Sequence, residues 1–189
     1  MRDLVVTENI TLDGVIDASE GWFSPAEDDD VDQSDVIAAL REQSEAADAV
    51  LFGRVTFEEM RGYWPKQTDD TTGVTDYLNR VTKYVVSSTL GDPQWEGTVV
   101  LPGEGFQGEL RDLKARPGKD IVTTGSITLV RSLIAAGLVD EYRLFQYPVV
   151  LGRGTRLFAE GTRIPSLRLV ETRPFRSGVV LLRYRPAPA

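Results

Sequence analysis

The sequence predicts one α/β domain built in three layers, with a central mixed, mostly parallel β-sheet flanked by helices and an antiparallel hairpin at the C-terminal end. Three observations predict it. Short apolar runs rich in β-branched residues recur at "LVV" near Leu4, "AVLF" at Ala49, "YVV" at Tyr84, "TVV" at Thr98 and "DIV" at Asp120. Runs that are apolar at consecutive positions suit strands covered on both faces. Helical stretches separate several of these runs, and the chain then ends differently, on two strand-like segments joined by a turn.

Taken in order, the first run leads into "TLDG", where Asp13 is expected to shape the turn by bonding its own backbone. "DASEGWFSPAEDDD" reads as a loop, and "DVIAALREQSEAA" (Asp35 to Ala47) as a helix of good helix formers. The run from Ala49 stops at Gly53, and Thr56 with Glu59 fits a capping box that opens the next helix. "PKQTDDTTG" and "LPGEGFQG" read as further loops. "SITLVRSLIAAG" places Ile127, Val130, Leu133 and Ile134 on one helical face and closes at Gly137. "LRLVETRPFRSGVVLLRYRP" reads as the antiparallel hairpin, turning at Arg176-Ser177-Gly178. With no repeat, low-complexity tract or linker, 189 residues form a single domain, 1–189.

Composition narrows the function. A net charge of −8 argues against nucleic acid or an anionic membrane as partner, while a local cluster of arginines and N–H groups still suits a small anion. There is no cysteine and no histidine, so thiolate nucleophiles, Cys-ligated zinc and imidazole bases are excluded and no metal site is expected. Acid–base chemistry falls to Asp, Glu, Lys, Tyr or water. "MRDLVVTENI" lacks a signal-peptide core and no apolar run approaches the length of a membrane span, so a cytoplasmic protein is expected.

Three turns carry the candidate chemistry. Gly53, Arg54, Val55 and Thr56 join a strand to a helix start, where free N–H groups and the dipole favour an anion. Ser87 and Ser88 end another strand with two hydroxyls, and Thr124-Gly125-Ser126 forms a second glycine-containing strand-to-helix turn. Neither a G-x-G-x-x-G fingerprint nor a P-loop is present. Each turn alone reads more readily as plain structure; three on one sheet edge suggest a shared extended anionic ligand.

"VLFGRVTFEEMRGYWP", "KYVVSSTL", "IVTTGSITLVRSLIAAGLVDEYRLFQYPVVLGRGTRLF" and the N-terminal "VVTENITLDGVI" together resemble the dihydrofolate reductase-like superfamily, in the branch of the C-terminal reductase domain of the riboflavin-pathway deaminase-reductase. The resemblance runs from Leu4 to about Tyr184. It implies NADPH across the strand ends: Gly53, Arg54, Val55 and Thr56 at its phosphates, Ser87 and Ser88 at the adenosine end, Gly125 and Ser126 over the pyrophosphate, and Asn9 and Ile16 at the nicotinamide. It implies hydride transfer to a small pterin- or pyrimidine-like heterocycle, as in a 5-amino-6-(5-phosphoribosylamino)uracil reductase. Trp22 and Phe23 are expected to stack on the substrate or anchor their loop. Glu27 is the candidate acid, in competition with Asp28, Asp29, Asp30 and Asp32. "PVVLGRG" should form a sharp loop, as turn or ligand contact. Aromatics in "GLVDEYRLFQYPVVLG" look exposed, and a homodimer through the late strands is expected. A dinucleotide- or ligand-binding protein without turnover is the second reading, and a true dihydrofolate reductase the third.

Overall fold

The computed structural model describes residues 1–18, 21–23 and 32–187. Along the chain come β1 (Leu4–Thr11), α1 (Ser34–Ala46), β2 (Ala47–Gly53), α2 (Arg54–Tyr63) with a 3₁₀ turn at Trp64–Lys66, and α3 (Val74–Arg80). β3 (Thr82–Val86), β4 (Thr98–Leu101), α4 (Phe106–Ala115), β5 (Asp120–Thr123), α5 (Ile127–Ala135) and β6 (Glu141–Tyr147) follow. β7 (Leu167–Pro174) and β8 (Val180–Pro186) close the chain as the expected hairpin.

The eight strands form one mixed sheet in the order β4-β3-β2-β5-β1-β6-β8-β7. β4 through β6 run parallel, and β8 adds antiparallel to β6 and β7 antiparallel to β8. Alternation along the strands sends successive side chains to opposite faces, and both faces are covered. Leu4, Val6, Ala49, Leu51 and Ile121 meet Leu110, Leu113, Val130 and Leu133 of α4 and α5. Val50, Phe52 and Val85 meet Phe57, Tyr77 and Leu78 of α2 and α3. Phe145 and Leu181 meet Val36 and Ala39 of α1.

Three expectations change. The helix after Gly53 begins at Arg54, with Gly53 at its N-cap and no side-chain capping bond, so Thr56 is inside the first turn and is not the cap. The cause is tertiary: the Gly53 N–H donates to the Gly125 carbonyl at 3.2 Å, which fixes the chain where the helix starts. The "LPGEGFQG" segment is only partly loop. α4 opens at Phe106, because Gly105 takes the left-handed φ of +76° needed to turn into it. Two of the three late-strand aromatics are core: Tyr142 and Phe145 are 2% and 3% exposed, one on each covered face of β6, and Tyr147 is half-buried. The large apolar residues exposed on the late strands are Leu169 and Val170 of β7. No described helix is long and apolar enough to cross a membrane.

Candidate functional site

The C-terminal ends of β2, β3 and β5 bring all three candidate turns to one cleft of about 370 Å³. Its wall includes Gly53, Arg54, Ser87, Ser88 and Ser126. Two helices start here, α2 behind Gly53 and α5 behind Ser126, and neither first turn is capped by a side chain. Their leading N–H groups are therefore free of side-chain acceptors, and the positive ends of both dipoles sit beside the cleft. Arg54, paired with Glu58 at 2.7 Å, is the charged residue among the described lining.

Gly53 is required by a close approach. A Cβ there would stand 2.3 Å from the Ser126 hydroxyl oxygen, so no larger residue fits between β2 and the β5–α5 turn. Gly125 has φ +136°, and the Gly125–Ser126 peptide is cis. The Thr56 side chain, displaced from its expected capping role, faces Gly125, with its Oγ1 3.0 Å from where a Cβ would be.

The expected residues do not all converge. Ser87 Oγ accepts from the N–H groups of Thr89 and Leu90 at 3.1 and 2.9 Å, so it also shapes its own turn. Val55 is exposed on the first turn of α2. Ile16 is buried in the core, and Asn9 sits opposite Phe145 in the β1–β6 register; neither lines the cleft. Trp22 and Phe23 form a three-ring cluster with Tyr147, at centroid separations of 5.2 to 6.2 Å. The Trp22 indole also donates to the Asp17 carbonyl at 2.6 Å, which ties that ring to its own loop. Asp13 forms its turn as expected and reaches further, accepting from the N–H groups of Leu151 and Gly152 in "PVVLGRG". The Thr11 hydroxyl foremost, with those N–H groups, holds its carboxyl below the usual range.

Among the candidate acids, Glu27 and Asp28 to Asp30 lie outside the described residues. Asp32 is described: it pairs with Arg176, and its hydrogen bonds, first with Ser34, hold its carboxyl at about 2. A group ionised that firmly does not donate a proton near neutrality.

Sequence reasoning missed Gly103, Thr128 and Ser132 in the cleft. The last two sit one turn apart on α5, and that spacing was a readable signal. It also missed a second cavity, of about 210 Å³, on the α1–α2–α3 face. Phe52 and Thr124 line this pocket, while Gly53 and Ser126 line the cleft. Phe52 precedes Gly53 directly, and strand alternation points them to opposite faces. The two cavities thus abut across the same strand ends, with Gly125 between Thr124 and Ser126.

Comparison with known proteins agrees with this architecture. The RibD C-terminal domain family matches residues 2–181, and the chain belongs to it. It is 33% identical over 188 residues to the uncharacterized protein YyaP of Bacillus subtilis (strain 168), covering 97% of this chain and 94% of that one. A dihydrofolate reductase from Enterococcus faecalis, complexed with NADP(H) and RAB-propyl, has the same fold, with a TM-score of 0.61 and 19% identity over 96% of this chain and 93% of that one. A Thermotoga maritima diaminohydroxyphosphoribosylaminopyrimidine deaminase/5-amino-6-(5-phosphoribosylamino)uracil reductase shares it too, with a TM-score of 0.64 and 18% identity. That match covers 98% of this chain and 57% of the Thermotoga chain.

Proposed function

From membership of the RibD C-terminal domain family, we propose that the chain is an NADPH-dependent reductase acting on a small pterin- or pyrimidine-like heterocycle. One observation carries the reading: a cleft with two uncapped helix starts and an arginine abuts an apolar pocket across the ends of β2 and β5. An extended dinucleotide in the cleft has its phosphates at Arg54 and the leading N–H groups of α2 and α5, and its far end at the mouth of the pocket. The named activity of the Thermotoga neighbour and the NADP(H) bound by the Enterococcus one support the same reading.

The cofactor, when bound, supplies the hydride. The chain supplies the rest. Gly53 and Gly125 keep side chains out of the path, Ser87 and Ser88 offer hydroxyls at the outer end, and Phe52, Met60 and Trp64 keep water from the pocket. Glu27, in the segment leading to α1, is the proposed proton donor.

Titrating NADPH and following its fluorescence tests the proposal. Micromolar binding is expected, weakened roughly tenfold by Arg54→Ala, about 1.4 kcal/mol. No binding by the unaltered chain overturns the cofactor assignment. Tight binding with no NADPH oxidised by any pterin or pyrimidine offered would instead leave a binding protein on the same fold.

A further inference from the structure

A third cavity, of about 570 Å³, opens at the opposite end of the sheet from the cleft, where β1 and β6 begin and β8 ends. No described residue lines both, although α5 begins at the cleft and ends beside this cavity. Two of the charged residues on its wall are acids, and both are engaged. Asp140 accepts from Lys114 at 2.5 Å and from the Leu4 N–H at 2.7 Å. Asp3 pairs with Arg185, whose Nε also stands 3.4 Å from Glu141. The other two, Arg163 and Arg168, are exposed and form no ion pair or hydrogen bond among the described residues. Arg168 lies opposite Arg185 in the β7–β8 register, so two guanidiniums leave the strand pair on one face. Like charges so placed destabilise a strand pair; Asp3 offsets one of them, and no described residue offsets the other.

We infer that this cavity is a second ligand site, separate from the cleft, which takes a small phosphate monoester with a compact apolar body and holds the phosphate with Arg163 and Arg168. It stands independently of the reductase reading. The charges match: a phosphate monoester carries about −1.5 to −2 near neutrality, against two guanidiniums without a partner. The groups match too, because the guanidinium fork presents parallel N–H donors to two oxygens of one phosphate. Both arginines are hydrated, so meeting a phosphate displaces water and breaks no ion pair of the fold. The volume exceeds what an inorganic ion fills, and Ile134, Ile164 and Pro165 offer the rest of the ligand an apolar wall. A cation would find both acids engaged, and a neutral ring would draw nothing from the arginines.

Calorimetric titration of the full chain with phenyl phosphate, inorganic phosphate and phenol tests this. Phenyl phosphate is expected to bind at sub-millimolar concentration, about tenfold tighter than phenol and roughly threefold tighter than inorganic phosphate. Arg163→Gln and Arg168→Gln should each weaken phenyl phosphate roughly five- to tenfold and leave the affinity for NADPH unchanged. Neither variant should melt more than a degree or two lower, because neither arginine holds another described residue. NADPH at a concentration that saturates the cleft should not displace phenyl phosphate. Displacement, or variants that bind phenyl phosphate as the unaltered chain does, would put the anion elsewhere and overturn the inference. So would phenol or inorganic phosphate binding as tightly as phenyl phosphate, since the site would then read only one end of the ligand. A chain that bound no NADPH would lose the cofactor assignment alone, and the arginine variants would still decide this site.

Discussion

The parallel and antiparallel halves of the sheet are finished in opposite ways. Where β2, β3 and β5 end, the chain turns through Gly53, Ser87-Ser88 and Gly125-Ser126, with small side chains, open N–H groups and one arginine around a cleft. Across β6, β8 and β7 long charged side chains interlock. Arg143 pairs with Asp120 and Glu141, Glu141 with Arg183, Arg183 with Glu171, Glu171 with Arg173, and Arg173 with Glu42 of α1. The strands align these pairs: Arg143 lies opposite Arg183 and Glu171 opposite Arg183 in register. One half leaves polar groups open to a ligand, and the other pairs its charges with one another. The first half should govern NADPH binding and the second stability.

The largest test of that division is Glu141→Ala. Glu141 is 3% exposed and receives Arg143 at 2.6 Å and Arg183 at 2.8 Å. Removing one partner of a buried pair leaves uncompensated charge and costs about 3–5 kcal/mol. For a chain of this size the Tm should fall by roughly 10–15 °C. NADPH affinity, measured well below the new Tm, should be unchanged, since no residue of the ladder lines the cleft. A matching loss of affinity would show that the halves are coupled.

Glu8, on β1 at the boundary between the halves, sharpens the comparison because its carboxyl is held by no cation among the described residues. It is 8% exposed, its Oε1 is unpaired, and burial pushes its carboxyl up to about 8 from the ordinary 4.5. The unfolded chain therefore releases this proton at lower pH than the folded one. Glu8's contribution to stability is fully present below pH 4.5 and is lost as the pH rises toward 8. Glu8→Gln, which mimics the protonated form, should raise the Tm by roughly 5–10 °C at pH 8 and by little at pH 4.5. A gain of equal size at both values would show that Glu8 does not titrate in this range.

These differences bear on what the sequence reveals. Strands covered on both faces are apolar at consecutive positions, so β1, β2, β3 and β5 were legible as runs, and the turns after β2, β3 and β5 were legible because Gly, Ser and Thr act locally. Thr56 misled for the same reason. The capping pattern Thr-x-x-Glu is local, but the helix start is set by Gly53 meeting Gly125 and Ser126, a contact between distant segments. The opening of α4 was hidden by glycines that form its entrance, and the aromatics of β6 looked exposed because a sequence does not show which faces are covered. The pocket was invisible for a deeper reason. Leu40 and Met60 belong to different helices and carry no shared motif; only the fold brings them to one wall.

The smallest expected effect makes the sharpest contrast. Arg54, the cation of the cleft, is held by Glu58 one turn along α2 at 2.7 Å, with both side chains substantially exposed. Such a pair contributes little to stability, commonly under about 1 kcal/mol. It does compete: to meet a phosphate, the guanidinium must share or leave its carboxylate, and that carboxylate repels the incoming anion. Glu58→Gln should therefore shift the Tm by no more than a degree or two and tighten NADPH binding about two- to threefold, more at low salt than at high. Weaker binding in the variant would mean that Glu58 holds Arg54 in its binding pose. Removing a carboxylate from an arginine would then destabilise the fold at Glu141 and improve binding at Glu58. The difference follows from burial: a desolvated arginine needs its partner, while a hydrated one is free to exchange it for a ligand.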